Sequence, residues 1–529
     1  MTALLVLAAT GAIYYELSRV RTDVTTARDT LVAAFADPAA LRTPEGRAAV
    51  HGQVDGVLET LASARRRAAE SKAIGLLRFA PTGGTQRRGL VQLIDDARSG
   101  AQAVRGLLGA VDSLAERSQL VDGRVPAEGL VELEAEARRA SGVLQGAARP
   151  TSGLWGPFHE ARAEFDKVAG SNAIRLSHGA DALEAIRTFT GGSGNRRYFL
   201  ALMNNAEMRD QGMVLSYGVV QFSDGHISFD SGGSVQKLTL DQPASTAVPN
   251  GTNEVFGALR PTKVWQSVNA TADFAFSGRA MVDMYHQKTG QQLDGVIGVD
   301  VPGIAALLRG VGPVAAEGIG SPVDADNVGR VVLHDLYQGL PPNADQGERR
   351  ELLGEVTSAV VDKLTSGSTD AFGLGQQLAD AAKGGHLRLW SSSPDEETVF
   401  ERSGLGGGPG LVDADRTFHL AVENRAATKL DYYVKPSARQ EVELGSNGTA
   451  TVRTTVVIEN QAPEGEVPSY QLGPDEFTRK PGDYLAWVLL WGPAAAIQPS
   501  STSESGLTLA QRVVPVDAGK SVEVSFHTV

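Results

Sequence analysis

Residues 191–222 read GGSGNRRYFLALMNNAEMRDQGMVLSYGVVQF, and within them the chain changes its period. Gly191, Gly192, Ser193 and Gly194 interrupt a helical pattern and form a short linker. Tyr198–Met203 is then a short apolar run between polar residues, the mark of a buried strand. Met213–Phe222 is a second strand, Asp224-Gly225 a hairpin turn, and His226–Phe229 the returning strand. The reading is a multidomain α+β chain, helical before this stretch and sheet-containing after it.

Upstream, from Glu16 to about Phe189, apolar residues recur at three- and four-residue steps. Leu90, Leu93, Ile94, Ala101, Leu108 and Leu114 share one helical face. Thr43 before Pro44 is an N-cap followed by a first-turn proline, and it opens a segment with the face Val50, Val54, Val57, Leu61 and Ala64. Residues 19–190 therefore read as a helical bundle or stalk. The run Arg65-Arg66-Arg67 reads as a solvated helix face, with contact to anionic lipid or wall polymer as the alternative.

The first residues form an apolar run of about 14 residues ending at Tyr15, roughly 21 Å of helix against a hydrocarbon core of about 30 Å. Alone it is too short to span, and no Lys or Arg precedes it as a signal anchor requires. Two readings stay open. One is a membrane anchor over 1–18, incomplete at its N-terminal side, with Tyr14 and Tyr15 as interfacial aromatics. The other is a core helix. Cleavage near Ala8–Ala12 would instead release a secreted protein. The anchor reading implies a single-pass protein of the cell membrane, its bulk extracytoplasmic and its first helix in contact with membrane lipid.

Downstream, the segments Arg279–Lys288, Gly295–Val299, Ile304–Leu308, Val328–Leu336 and Arg349–Leu364 alternate as in an α/β layered domain, assigned to 196–412. Past Phe418 the pattern is strands alone. Phe418–Val422, Leu430–Val434, Val442–Leu444, Val452–Ile458, Tyr484–Leu490 and Val522–Phe526 alternate with polar neighbours. About seven strands suit an immunoglobulin-like β-sandwich over 416–529.

Composition narrows the chemistry. A length of 529 residues exceeds one core, and 42% hydrophobic with 21% charged residues fits packed domains. With no cysteine, thiol nucleophiles, disulfides, iron–sulfur clusters and Cys-ligated zinc are excluded. A net charge of -13 argues against general nucleic-acid binding. The acidity is uneven: residues 1–195 carry 23 Lys+Arg and 22 Asp+Glu, the remainder 26 and 40. The nine histidines stand at no metal-ligand spacing, so no metal site is expected.

Three motif fragments occur in the order used by penicillin-binding proteins: Ser234-Val235-Gln236-Lys237, Ser267-Val268-Asn269 and Lys288-Thr289-Gly290. That reading is rejected, because Ser234 lies in a Gly- and Thr-rich strand-and-loop stretch where a helix should open. The glycines of Gly404–Gly410 precede no strand-to-helix switch and form a loop, not a phosphate cradle.

The unusual stretch is Asn204-Asn205-Ala206-Glu207-Met208-Arg209-Asp210-Gln211-Gly212, placed after a buried strand where α/β proteins seat ligands. It reads in two ways. It is a turn whose asparagines cap the strand end while Glu207 pairs with Arg209, or it is an anion or headgroup site with Arg209 as fork donor. In the second case Glu207 or Asp210 orients the arginine or holds a divalent cation.

Tyr198–Asn205, Glu207, Arg209, Gly212, Ser216-Tyr217-Gly218 and Asp224-Gly225 resemble the signature of the bacterial domain of unknown function 4012 family, typical of actinobacteria. Leu293–Asp300, Gly312-Pro313-Val314, and Glu423, Asn424, Lys429, Asp431, Tyr432 and Tyr433 resemble its further blocks. Met213 departs from the pattern, standing where a second glycine is usual, as do Asp210 and Gln211 where Pro and Thr are common. The resemblance implies an anchored, outward-facing protein and supplies no activity.

In element order the middle domain is also similar to LytR-CpsA-Psr proteins, which transfer glycopolymers from polyprenyl diphosphate carriers to the cell wall. That similarity implies a diphosphate grip of Arg209, Asp210 and Arg349 or Arg350 with magnesium, and places Asp294 and Asp300 in a corresponding block. The chain lacks an arginine after the hairpin, where Gly232-Gly233-Ser234-Val235 stand. The candidate ligand-binding residues are Asn204, Asn205, Glu207, Arg209, Asp210, Gly212, Asp294, Asp300, Arg349 and Arg350. The functional expectation is a cell-envelope protein with a binding or scaffolding role. A phosphotransferase is the alternative, the one case in which magnesium is a cofactor. Expected partners are membrane lipid, cell-wall glycopolymer or polyprenyl lipid, and envelope proteins.

Overall fold

The computed structural model describes residues 2–125, 127–148, 153–192, 194–341, 347–408, 417–426, 428–493, 497–498 and 501–528; of 2–8 and 347–354 it describes the backbone alone. The chain forms two compact units: Met1–Ser118 with Pro126–Arg187, and Gln119–Val125 with Thr188–Val529.

The first unit is helical: α1 (Thr2–Ala34), α2 (Pro44–Glu70), α3 (Gly83–Arg117), α4 (Ala127–Ala147) and α5 (Gly156–Arg187), each packed on the next. The Thr43 hydroxyl accepts the Gly46 N–H at 3.1 Å with Pro44 opening the first turn, so α2 starts at a satisfied end. Its face Val50, Val54, Val57, Leu61 and Ala64 is buried. α1 has no break at residue 18. Leu17, Val20, Val24 and Ala27 pack with Val57, Leu61, Ile74 and Leu77, which makes this part of the helix core. Among the described residues no helix is long and apolar enough to cross a membrane.

The second unit contains a five-stranded sheet of β1 (Arg196–Asn204), β2 (Met213–Ser223), β3 (His226–Ser234), β4 (Gly295–Asp300) and β5 (Leu387–Ser391) in the order β3-β2-β1-β4-β5. β1 and β4 are parallel, in register from Tyr198↔Gly295 to Met203↔Asp300. Both strands therefore end together, and the loop after Asn204 lies beside Asp300. Phe199, Ala201 and Met203 of β1 join Tyr217, Trp265, Phe274 and Trp390 in one core. The helices α6 (Phe274–Thr289), α7 (Val301–Val311), α8 (Gly347–Thr365), α9 (Ala371–Lys383) and α10 (Pro394–Ser403) complete this layer. β5, α9 and α10 are elements that sequence periodicity did not mark.

The strands after residue 418 form two sheets. One has the order β10-β13-β8-β7 and the other β11-β12-β9-β6, with β6 His419–Asn424, β7 Val434–Leu444, β8 Ala450–Asn460, β9 Tyr484–Gly492, β10 Ile497–Gln498, β11 Ser501–Glu504, β12 Leu507–Val516 and β13 Ser521–Thr528. Val456, Ile458 and Phe526 of one sheet meet Ala486, Val488 and Leu490 of the other, so the two sheets share a core. Two expected strands are one: Leu430–Tyr433 is a 3-10 turn leading into the continuous β7. On its other face the β6-β9-β12 sheet presents Ala421, Trp487, Leu489, Trp491 and Leu509 to Phe256, Ala270 and Ala272. The α/β layer and the β-sandwich thus share a second core, and the candidate site lies along the same seam.

Candidate functional site

The loop Asn204–Gly212 is shaped by its own ends. The Asn204 carboxamide oxygen accepts the Ala206 N–H at 2.8 Å, and its nitrogen donates to the Tyr337 hydroxyl at 3.0 Å. Gly212 has φ +112°, and a Cβ there would stand 2.9 Å from the Asn204 carbonyl oxygen. Only glycine lets the chain enter β2 so close to the strand it has left. Asn205 bolts the loop to the neighbouring strand end, donating to Asp300 at 3.2 Å and accepting the Val301 N–H at 3.0 Å. Asp300 is buried, caps α7 by accepting the Gly303 N–H at 2.9 Å, and lies 2.9 Å from His386 Nδ1. That hydrogen bond raises the His386 pKa against the opposing effect of burial.

The charged side chains of the loop all find partners far along the chain. Glu207 is ion-paired with Lys429, a buried lysine whose ammonium lies 5.6 Å from the Tyr337 ring centre and 5.8 Å from that of Tyr470. Arg209 donates to the Asn424 carbonyl at 2.8 Å and the Met208 carbonyl at 3.0 Å. The expected Glu207–Arg209 pair is not formed: Lys429 holds Glu207. Asp210 is gripped from two sides, by Arg388 of β5 and His419 of β6, each at 2.5 Å. Burial alone would push Asp210 up, but the Arg388 guanidinium and the His419 ring hold it well below the ordinary carboxylate range. Gly407, with φ +49°, leaves room for the Arg388 side chain, which a Cβ there would strike.

On the sandwich side, Asp431 accepts the Met208 N–H at 3.2 Å, the Asn424 carboxamide at 2.8 Å and the Tyr484 hydroxyl at 2.6 Å. Burial nevertheless pushes its pKa up to about 7. Burial and the Asp431 carboxylate together raise Tyr484 well above its usual value. Glu423 is wholly buried, neither of its carboxylate oxygens has a hydrogen-bond partner, and burial raises its pKa well above the ordinary range against the attraction of Arg209. The Arg209 Nε is likewise buried without a partner.

Beside the loop opens a cleft of about 830 Å³, lined by Asn205, Met208, Asp210, Leu420, Val422, Pro436 and Ala438. Arg330, Tyr432, Tyr433 and Lys435 also line it. Tyr432 and Tyr433 meet edge to face at 5.1 Å, and His334 lies 4.8 Å from Tyr432.

Seven of the sequence-chosen residues, Asn204, Asn205, Glu207, Arg209, Asp210, Gly212 and Asp300, come together here. Asp294 does not. It lies just before the start of β4, at the opposite end of the sheet, where it accepts the Arg197 N–H at 2.7 Å. Arg349 and Arg350 lie in α8, and their side chains fall outside the described residues. Arg388, His386 and His419 were not found from sequence, since nothing local ties them to the loop. Asn424, Lys429 and Asp431 belong, in sequence, only to a block of family resemblance, and the structure makes that block the physical mate of the Asn204–Gly212 loop. The rejected Ser234 caps the 3-10 turn Val235–Leu238, accepting the Gln236 N–H at 3.3 Å. Among the described residues no group of three or more His, Asp or Glu is placed to hold a metal ion.

No curated protein and no solved structure matches the chain. Residues 193–337, which hold β1 to β4 and the Asn204–Gly212 loop, match a family model and make this segment a member of the family described as Protein of unknown function (DUF4012).

Proposed function

We propose that the protein is a membrane-anchored, extracytoplasmic component of the cell envelope with a binding or scaffolding role, and that the cleft beside the Asn204–Gly212 loop receives its ligand. The observation that carries the noncatalytic reading is the pairing of the loop's charged side chains within the fold. Glu207, Arg209 and Asp210 are committed to Lys429, Asn424, Arg388 and His419, so the arginine that would grip a phosphate instead ties the α/β layer to the sandwich. The cleft offers a different chemistry. Tyr432 and Tyr433 line it together with apolar side chains and Lys435, a lining that suits a sugar ring carrying an acidic group, as in a cell-wall glycopolymer. The immunoglobulin-like character of the sandwich and the envelope address belong to the same proposal, supported by the family resemblance and the apolar start of α1.

The test is binding of purified wall glycopolymer fragments to the full chain and to Tyr432→Ala, with mass spectrometry of organic extracts of the purified protein. Weaker fragment binding by Tyr432→Ala, with no diphosphate lipid extracted, is expected. A co-purifying polyprenyl diphosphate, together with loss of polymer attachment in cells carrying a folded Arg209→Ala, would overturn the binding reading in favour of phosphotransfer with magnesium.

A further inference from the structure

The helical unit carries a surface of the opposite character. Between Arg65 and Arg88 stand seven Lys and Arg in a chain whose net charge is -13; Arg65 and Arg67 are ion-paired with Asp95 and Asp23 and Arg87 donates to the Ala68 and Ala69 carbonyls, while Arg66, Lys72, Arg78 and Arg88 are exposed. This stretch contains the connection from α2 to α3: a helical turn Lys72–Gly75 and a 3-10 turn Leu76–Phe79. The turn buries Ile74 and Leu77 but leaves Leu76 38% and Phe79 73% exposed. The Arg78 guanidinium lies 4.7 Å from the Phe79 ring centre. Trp155, 39% exposed, is brought to the same place by hydrogen bonds from its Nε1 to the Thr82 hydroxyl at 3.1 Å and from its N–H to Gln86 at 2.7 Å. Burying these rings would remove apolar area from water.

The start of α1 reaches this tip. α1 runs antiparallel to α2, with Asp23 3.3 Å from Arg67, and Ile13 packs into the cluster that holds Ile74 and Leu77. Tyr14 and Tyr15 are 76% and 57% exposed at this level, and the helix continues beyond them through the apolar run back to Thr2. Exposed aromatics, a cationic girdle and an emerging apolar helix are the three components of an interfacial membrane contact.

We propose that this tip is a docking platform that seats on an anionic lipid bilayer, with Leu76, Phe79 and Trp155 in the interfacial zone and Lys72, Arg78 and Arg88 against the headgroups. The choice of a bilayer as occupant rests on the anchored reading above; the platform itself is a separate contact from α1.

The cysteine-free chain allows one environment-sensitive fluorophore to be placed at will. The full chain labelled at Ala80→Cys reports the tip, at Ala12→Cys reports α1, and at Ala39→Cys reports the exposed turn at the far end of α1. Each is mixed with phosphatidylcholine vesicles with or without phosphatidylglycerol. The Ala80 label is expected to shift to the blue and to be quenched by spin-labelled lipid on anionic vesicles, and the Ala39 label is expected to do neither. Arg78→Glu with Arg88→Glu is expected to lower the anionic-over-neutral preference roughly tenfold, and Phe79→Ser to reduce the Ala80 shift. If the Ala12 label enters the bilayer while the Ala80 label stays aqueous, the platform is overturned and the anchor stands. If only the Ala80 label responds, the platform stands and the anchor is overturned. Silence of both overturns both, and an Ala80 response to an acidic polymer but not to vesicles overturns the bilayer as occupant.

Discussion

Two cationic regions of this protein put the same residue types to opposite use. At the seam of the second unit, Arg388 and Lys429 are buried and each faces a buried carboxylate, Asp210 and Glu207, while the half-buried Arg209 holds backbone carbonyls. At the tip of the first unit, Arg78 and Arg88 are exposed in a stretch nearly devoid of carboxylates. The difference teaches what a run of charges in a sequence can mean. Buried charge must be matched within the fold, because desolvation of an unpaired ion costs several kcal/mol. Exposed charge of one sign is free to meet something outside it.

The largest expected effect lies at the seam. Lys429→Met leaves Glu207 without its cation in an enclosed site and should destabilise the second unit by about 3–5 kcal/mol in urea unfolding. Adding Glu207→Gln should return part of the loss, and if it returns none the pair is not what Lys429 stabilises. Next is pH. Asp431 is raised from 3.8 to about 7, so the folded chain favours its protonated form. Its contribution is complete below about pH 4 and is lost as pH climbs to 7, on the order of 2–4 kcal/mol. Glu423 acts in the same direction. Asp210, held down, acts in reverse: its contribution is present above the ordinary carboxylate range and is lost on stronger acidification. Stability should therefore peak in mild acid, and Asp431→Asn should flatten the decline toward pH 8. A decline that persists unchanged in that variant assigns it to another group.

A smaller effect is expected of Arg209→Ala, about 1–3 kcal/mol, from the loss of its hydrogen bonds to Asn424 and Met208. Smallest is Phe79→Ser at the tip, within about 0.5 kcal/mol by thermal unfolding, because an exposed ring contributes little to the core. A marked loss there would show that the tip is packed like the seam and would remove the contrast between them.

Much of this was legible beforehand. The change of period at Gly191–Gly194 marked the passage from helices to sheet, and Thr43-Pro44 marked the start of α2. The polar crowding of Asn204–Gly212 marked a place of unusual chemistry, but its partners were not readable. Arg388, His419 and Asp431 lie 178, 209 and 223 residues from the loop atoms they bind, and no periodicity carries information over such distances. For the same reason the loop invited a local pairing of Glu207 with Arg209, which the distant Lys429 pre-empts. β12 escaped notice because its middle residues Gln511, Arg512 and Val513 are exposed, so that its apolar alternation is broken. β5 was hidden among helices, as a single five-residue strand gives a period too short to register.

The separation of the loop from its mates bears on how the protein is made. A nascent chain that has reached residue 412 has produced the whole α/β layer, yet His419, Asn424, Lys429 and Asp431 are still to be translated. Until they emerge, Glu207 and Arg209 must remain solvated at the margin of an unfinished domain, so the sandwich is as much a template for the last loop of its predecessor as a domain in its own right.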